Sequence, residues 1–264
     1  MSLKCTMVLG DCLDVMPEMP GDSVDLFFAD LPYGATKFSW DIRLPWDSLR
    51  QKCDYVGKSA PKVLTANEGF MFRARDAWRR DLRYMLIWDR NYPTGAFTAA
   101  TRPMTSHEYV MIFGPTTTYN PQKTHGHIAT KKTGEKRHSG FTSSGSSARS
   151  GRRYDLDTTR NPRTILRFDR DKRCRRSLNR PSVNQHPSQK PVALLDWLIR
   201  TYSNPNNNVL DPTAGSFTTC VAACLSGRSS VGIERDISYF EAGVERVRKV
   251  CRDSGLDVQI EVRR

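Results

Sequence analysis

No run in this sequence approaches the ~18 apolar residues that a membrane-crossing helix needs, which excludes a helical transmembrane protein. The first fourteen residues meet an acid at Asp11 and hold neither a long apolar stretch nor a small-residue cleavage site, so no secretory signal is expected there. The seven cysteines are odd in number and scattered; none forms Cys-x-x-Cys, and none shares zinc-site spacing with a histidine. Neither a disulfide scaffold nor a metal site is expected, and the thiols read as reduced and the compartment as cytosolic. Cys220 and Cys224, four apart, read as two small buried residues on one helix face. Gly-x-Gly-x-x-Gly is absent, which argues against a nicotinamide dehydrogenase, and the absence of Gly-x-x-x-x-Gly-Lys-Ser/Thr argues against a P-loop NTPase.

What is present begins with charge. The net charge is +13 over 264 residues. Residues 122–180 carry 17 Lys and Arg against 5 acids, whereas the other 205 residues hold 24 against 23. An almost neutral body with one basic segment is what a polyanion-binding element requires, because Lys and Arg gain affinity by releasing condensed counterions. A nucleic-acid partner is expected. Hydrophobic residues, at 38%, suffice for the core of one α/β domain carrying an insertion.

Short apolar runs at 7–11 and 23–29 predict buried strands around a small helix near Cys12–Met16. Residues 82–88 and 108–113 read as two more strands. Residues 120–185 are polar and rich in Ser, Gly, Arg and Lys, with little apolar periodicity before 164–168; the stretch 140–153 has flexible-linker composition. Order returns at Pro191: a helix over 192–202, a strand at 208–210, a turn at 211–216, a helix at 217–225, a strand at 229–233 and a helix at 239–251. Strand–turn–helix repeated twice predicts a doubly wound, mostly parallel sheet.

Four stretches carry candidate chemistry: Ala29-Asp30-Leu31-Pro32-Tyr33-Gly34, His186-Pro187-Ser188-Gln189-Lys190-Pro191, Asp211-Pro212-Thr213-Ala214-Gly215-Ser216-Phe217-Thr218-Thr219, and Gly232-Ile233-Glu234. In this order they resemble the β-group of S-adenosylmethionine-dependent DNA amino-methyltransferases of bacterial or phage type. There an Asp/Asn/Ser-Pro-Pro-Tyr motif precedes the cofactor motifs. Gly10-Asp11, Trp88 and Asn91, His107-Glu108 and Tyr239–Arg246 extend the likeness; over 122–163 only composition matches.

The resemblance implies a Rossmann-like methyltransferase domain over 1–264. It would comprise a catalytic half (1–119), a basic target-recognition insertion (120–185) and a cofactor-binding half (186–264). It implies methyl transfer to an exocyclic amine of double-stranded DNA with the base flipped out, in the cytoplasm of a bacterial or phage-infected cell, by a monomer or homodimer. An amine conjugated with a base ring is a poor nucleophile. Asp30 accepting one N–H and the Leu31 carbonyl the other would localise its lone pair toward the methyl donor. Pro32 stiffens the loop, and Tyr33 offers a face for the flipped base. For the cofactor, the resemblance assigns Glu234 to the ribose hydroxyls, Asp11 to the adenine amine and Lys190 to the carboxylate; Asp211, Thr213, Gly215, Ser216, Thr218 and Thr219 line the glycine-loop turn. His186 reads as structural. Arg149, Arg152, Arg153, Arg173, Arg175 and Arg176 are the candidate DNA-binding residues.

Two positions depart from the pattern. Leu31 stands where the family has Pro, and Phe217 where Gly-Ser-Gly would place its second glycine; Phe217 either packs beneath the loop or narrows the methionine pocket. The absence of any Pro-Cys pair argues against C5-cytosine methylation. Asp at the first motif position favours N6-adenine over N4-cytosine. An RNA adenine substrate and a non-catalytic DNA-binding relic are the other readings.

Overall fold

The computed structural model describes residues 2–34, 41–115, 118–125, 130–131, 156–169 and 189–264. The linker-like stretch 140–153, the six candidate DNA-binding arginines and His186-Pro187-Ser188 lie outside them. The chain divides into one unit of 1–120 with 164–264 and a second of 121–163.

The described residues of the larger unit hold nine strands: β1 (Leu3–Leu9), β2 (Leu26–Ala29), β3 (Lys62–Ala66), β4 (Leu82–Thr94), β5 (Thr105–Phe113), β8 (Ile165–Arg167), β9 (Asn208–Asp211), β10 (Ser229–Glu234) and β11 (Val258–Arg263). They form one sheet in the order β11-β1-β10-β9-β2-β3-β5-β4-β8. Pairing is parallel except where β5 lies antiparallel to β3 and β4, so the doubly wound, mostly parallel sheet read from the sequence is what forms. β8 lies within the stretch 120–185 yet pairs with β4 in this sheet. In the second unit, β6 (Thr130–Lys131) pairs antiparallel with β7 (Leu156–Asp157), and Thr124 bridges Arg160.

Helices cover both faces, which is why the central strands are apolar without alternation. In β2, Leu26 and Phe28 pack with the cluster around α4 (Val192–Tyr202). Phe27 and Ala29 join the opposite cluster with α2 (Trp46–Gly57), α3 (Glu68–Ala77) and the short α1 (Cys12–Val15). Period-two geometry splits the four residues between two cores. A third cluster seats α5 (Thr218–Leu225) and α6 (Ile237–Asp253) against β1 and β11. α6 buries Phe240, Gly243, Val244, Val247 and Cys251 at helical spacing and starts on Asp236, whose carboxylate accepts from the Ser238 and Tyr239 amides.

Cys220 and Cys224 are both buried on α5, and the six described cysteines are buried and free. Among the described residues no helix is long and apolar enough to cross a membrane, and no cluster suited to a metal occurs.

Candidate active site

In an open parallel sheet the crevice forms beyond the carboxyl ends of the strands, where the strand order reverses. Here β2 and β9 are neighbours. The chain leaves β2 into Asp30 and leaves β9 through Asp211, and an open pocket of about 350 Å³ lies there. It is lined by Asp30, Gln189, Lys190, Asp211, Thr213 and Gly215, among others.

The Asp30 carboxylate is held from three sides. Oδ1 accepts from the hydroxyls of Tyr33 (3.0 Å) and Thr65 (2.5 Å), and Oδ2 accepts from the Lys190 ammonium (2.6 Å). Thr65 is brought alongside by the pairing of β2 with β3. The Thr213 hydroxyl donates to the Asp30 carbonyl at 3.3 Å, tying this loop to the turn after β9. Lys190 is 7% exposed and also lies 3.3 Å from Oε2 of Glu108. Burial pulls its pKa down, but the Asp30 and Glu108 carboxylates outweigh that and leave it raised, so the ammonium persists.

Tyr33 packs on Phe70, with centroids 4.7 Å apart, and its carbonyl accepts from Arg73 at 2.9 Å. Burial and the neighbouring carboxylates push its phenol well above the usual range, so it remains a proton donor to Asp30. Leu31 is buried in the core, while Pro32 is half-buried. Both line a second pocket of about 260 Å³ with Arg43, Trp46, Phe70 and Arg73.

On the other side, Glu234 ends β10 beside the end of β1: Leu9 is its register partner, and the Gly10 amide donates to its carbonyl. Asp11 follows at once and caps α1 through the Leu13 amide at 2.9 Å. Glu234 Oε2 accepts from the Gly215 amide (2.8 Å) and Oε1 from that of Asp236 (2.7 Å). Burial raises its pKa while those amides oppose the rise. Asp211 accepts from the Thr219 hydroxyl (2.5 Å) and the Thr213 amide (3.1 Å). Burial nonetheless pushes it up to about 7. Ser216 and Thr218 are gathered by Arg246, which donates to the Ser216 carbonyl and to both hydroxyls.

Phe217 settles its two alternatives by packing beneath the loop. It is fully buried, against Phe240 at 5.8 Å, in a slot that exists because 232 and 243 are glycines. Its φ of 55° is the left-handed turn that the glycine of the family pattern would take without strain.

Asp30, Leu31, Pro32 and Tyr33 thus lie along one side of the crevice. Lys190, Asp211, Thr213, Gly215, Ser216, Thr218 and Thr219 line or adjoin the pocket, with Glu234 and Asp11 at the ends of the adjacent strands. Sequence reasoning missed Thr65, Phe70 and Arg73. Only the Asn67 cap, whose side chain accepts from the Phe70 amide at 2.8 Å, marks the helix that carries Phe70 and Arg73.

Residues 24–245 match the family described as DNA methylase, the N6/N4 methyltransferases. The chain is 27% identical over 283 residues to the DNA adenine methyltransferase YhdJ of Escherichia coli (92% of this chain, 82% of that protein). It is 24% identical over 279 residues to the type II methyltransferase M.HinfI of Haemophilus influenzae (93% and 68%). Among solved structures, the complex of M1.HpyAVI with S-adenosylmethionine superposes with a TM-score of 0.58 at 18% identity, covering 91% of this chain and 99% of that one. The cytosine-N4-specific PvuII DNA methyltransferase superposes at 0.60 and 14%, covering 98% and 96%. At these identities the structural likeness speaks to the fold; the match across residues 24–245 carries the assignment, and the chain belongs to the DNA methylase family.

Proposed function

We propose that the chain methylates the exocyclic N6 amine of adenine in double-stranded DNA, using S-adenosylmethionine and a base flipped out of the duplex. The observation that carries this is the Asp30 carboxylate, held by three donors at the mouth of the pocket beside Asp211 and Gly215. A carboxylate offers about four lone-pair sites. Two on Oδ1 and one on Oδ2 are taken, so Oδ2 keeps one for an amine N–H. The Leu31 carbonyl accepts the second N–H in this reading. Two acceptors pull the amine's lone pair out of conjugation, and the fixed loop supplies them without reorganisation. Tyr33, anchored at both ends, is the ring on which the base would stack in this reading, while Pro32 limits the loop.

The acceptor set fits the cofactor. Each Glu234 oxygen spends one lone pair on an amide and keeps another for a ribose hydroxyl. Asp11 would take the adenine amine, and Asp211, Thr213, Gly215, Ser216, Thr218 and Thr219 would line the methionine end. When bound, S-adenosylmethionine supplies an electrophilic methyl group on a sulfonium. Lys190, already spent on Asp30 and Glu108, acts in this reading on the carboxylate of the enzyme as much as on that of the cofactor.

Asp30 and the naming of YhdJ as an adenine enzyme favour adenine over cytosine N4. The segment 120–185 serves as target-recognition element between the catalytic half, 1–119, and the cofactor half, 186–264, with Arg149, Arg152, Arg153, Arg173, Arg175 and Arg176 toward phosphates. Bacterial relatives support action in the cytoplasm of a bacterial or phage-infected cell. The test is transfer of tritiated methyl to duplex DNA by the wild-type chain and by Asp30→Ala. Transfer lost in the variant, with cofactor binding kept, supports the reading; near-wild-type turnover overturns the role of Asp30.

A further inference from the structure

Behind Lys190 the charges continue. Glu108 lies in the first half of β5, on the strand that pairs with β3. Its Oε1 accepts from Arg90 at 3.1 Å, while its buried Oε2 meets no described partner but the Lys190 ammonium at 3.3 Å. Arg90 is 7% exposed and fixed by its other donors, to the Thr94 hydroxyl at 3.0 Å and the Thr105 carbonyl at 2.8 Å. Arg90, Glu108, Lys190 and Asp30 therefore form one line of alternating sign, its two cations buried and its two carboxylates partly so, that ends on the proposed amine acceptor.

Stability does not account for such a line, since buried ion pairs often contribute less than well-packed apolar residues in their place. Geometry gives another reason. With Oε1 committed to a fixed guanidinium, Oε2 can only face Lys190. A lysine on a four-carbon stem has many rotamers, and a second carboxylate leaves few of them. The line sums to zero charge, so a neutral amine enters without an unpaired charge being left behind.

We infer that Glu108, backed by Arg90, is a positioning residue of the methyl transfer, holding the Lys190 ammonium on Oδ2 of Asp30 and so fixing the orientation of that carboxylate. This rests on the reading of Asp30 as the amine acceptor. The groups facing Lys190 are Asp30 after β2, Glu108 on β5 and the Tyr33 ring, 6.0 Å from the ammonium; Asp211 at the end of β9 lines the same pocket. Burial pushes the Asp211 carboxyl up to about 7, so the alkaline limb is the one to read.

The experiment uses the full chain as wild type, Glu108→Gln and Arg90→Met/Glu108→Gln, the last leaving no buried arginine without its partner. Single-turnover methyl transfer to duplex DNA is followed against pH, with cofactor affinity measured alongside. Both variants are expected to slow transfer on the order of 100-fold, as misplacement of a reacting group does. Cofactor affinity should change far less than the rate, by under about 10-fold or ~1.4 kcal/mol, because Lys190 supplies only one of the cofactor's proposed contacts. The alkaline limb should move to lower pH in both, because Lys190 loses one of two counter-charges. Glu108→Asp should recover part of the rate. Wild-type rate and profile in the double variant overturn the inference, and so does a loss of rate with the alkaline limb unmoved, which packing damage alone would give. A wild-type chain that transfers no methyl, or an Asp30→Ala variant that still transfers, overturns the reading of Asp30 instead.

Discussion

Gly243→Ala separates the two places Phe217 had open to it, through the sign of a stability change. An alanine Cβ at 243 would lie 2.2 Å from Cδ2 of Phe217, 3.0 Å from Cε2 and 3.1 Å from Cγ, where carbon–carbon packing needs ~3.5 Å. The ring cannot retreat. Its far edge lies so close to Gly232 that a Cβ there would be 2.8 Å away, and the Phe217 amide and carbonyl are bonded to Ala214 and Val221 at 2.7 and 3.0 Å. Relief must come from moving α6 or the 215–217 loop.

Two effects compete. In a helix interior alanine is favoured over glycine by ~1 kcal/mol. Overpacking costs ~1–3 kcal/mol, here toward the upper end because backbone must move. Gly243→Ala should therefore destabilise by about 1–2 kcal/mol, lowering Tm by roughly 2–8 °C. It should also weaken cofactor binding by displacing Gly215. In a Phe217→Ala background, which itself costs ~3–5 kcal/mol, the obstacle is gone and the same change should stabilise by ~1 kcal/mol. Urea unfolding of the four proteins measures both values. Stabilisation of equal size in both backgrounds would mean the ring does not occupy the slot.

Glu234→Gln should weaken cofactor binding while leaving DNA affinity within about 2-fold, since its oxygens face the Gly215 turn; equilibrium titration of each ligand checks this. Asp211 is raised above its unfolded value, so the folded state holds its proton more tightly and stability is lost as pH rises from about 4 to about 7. Asp211→Asn should flatten that window and leave the chain relatively more stable at pH 8, read from urea midpoints. Neutralising Arg152 and Arg153 should weaken DNA binding and lower the log–log salt slope by roughly 0.9 for each phosphate that is no longer neutralised. An unchanged slope would mean that DNA is held elsewhere.

Much of the site was legible because its residues sit where local signals are strongest. Asp30, Asp211 and Glu234 each follow an apolar run at a strand end, and α4, α5, β9, β10 and α6 read correctly from period and turn residues. β3 did not, since five buried residues between two helices carry neither alternation nor a hairpin signal. α2 and α3 are short and mixed in polarity, with Gly69 in the first turn of α3. β11 alternates but follows the last recognised helix and joins the sheet only through β1. What no local reading supplies is the pairing of Lys190 with Asp30 across 160 positions. Which of its two places Phe217 takes was likewise left open, because the space for the buried ring is made by glycines on two other elements.

The measurement that bears most directly on the central claim is the identity of the modified base. Duplex DNA incubated with the purified chain and S-adenosylmethionine is digested to nucleosides and separated by mass. N6-methyladenine is expected from the wild type and none from Asp30→Ala. N4-methylcytosine in its place, or no methylated base from the folded wild-type protein, would contradict the assignment.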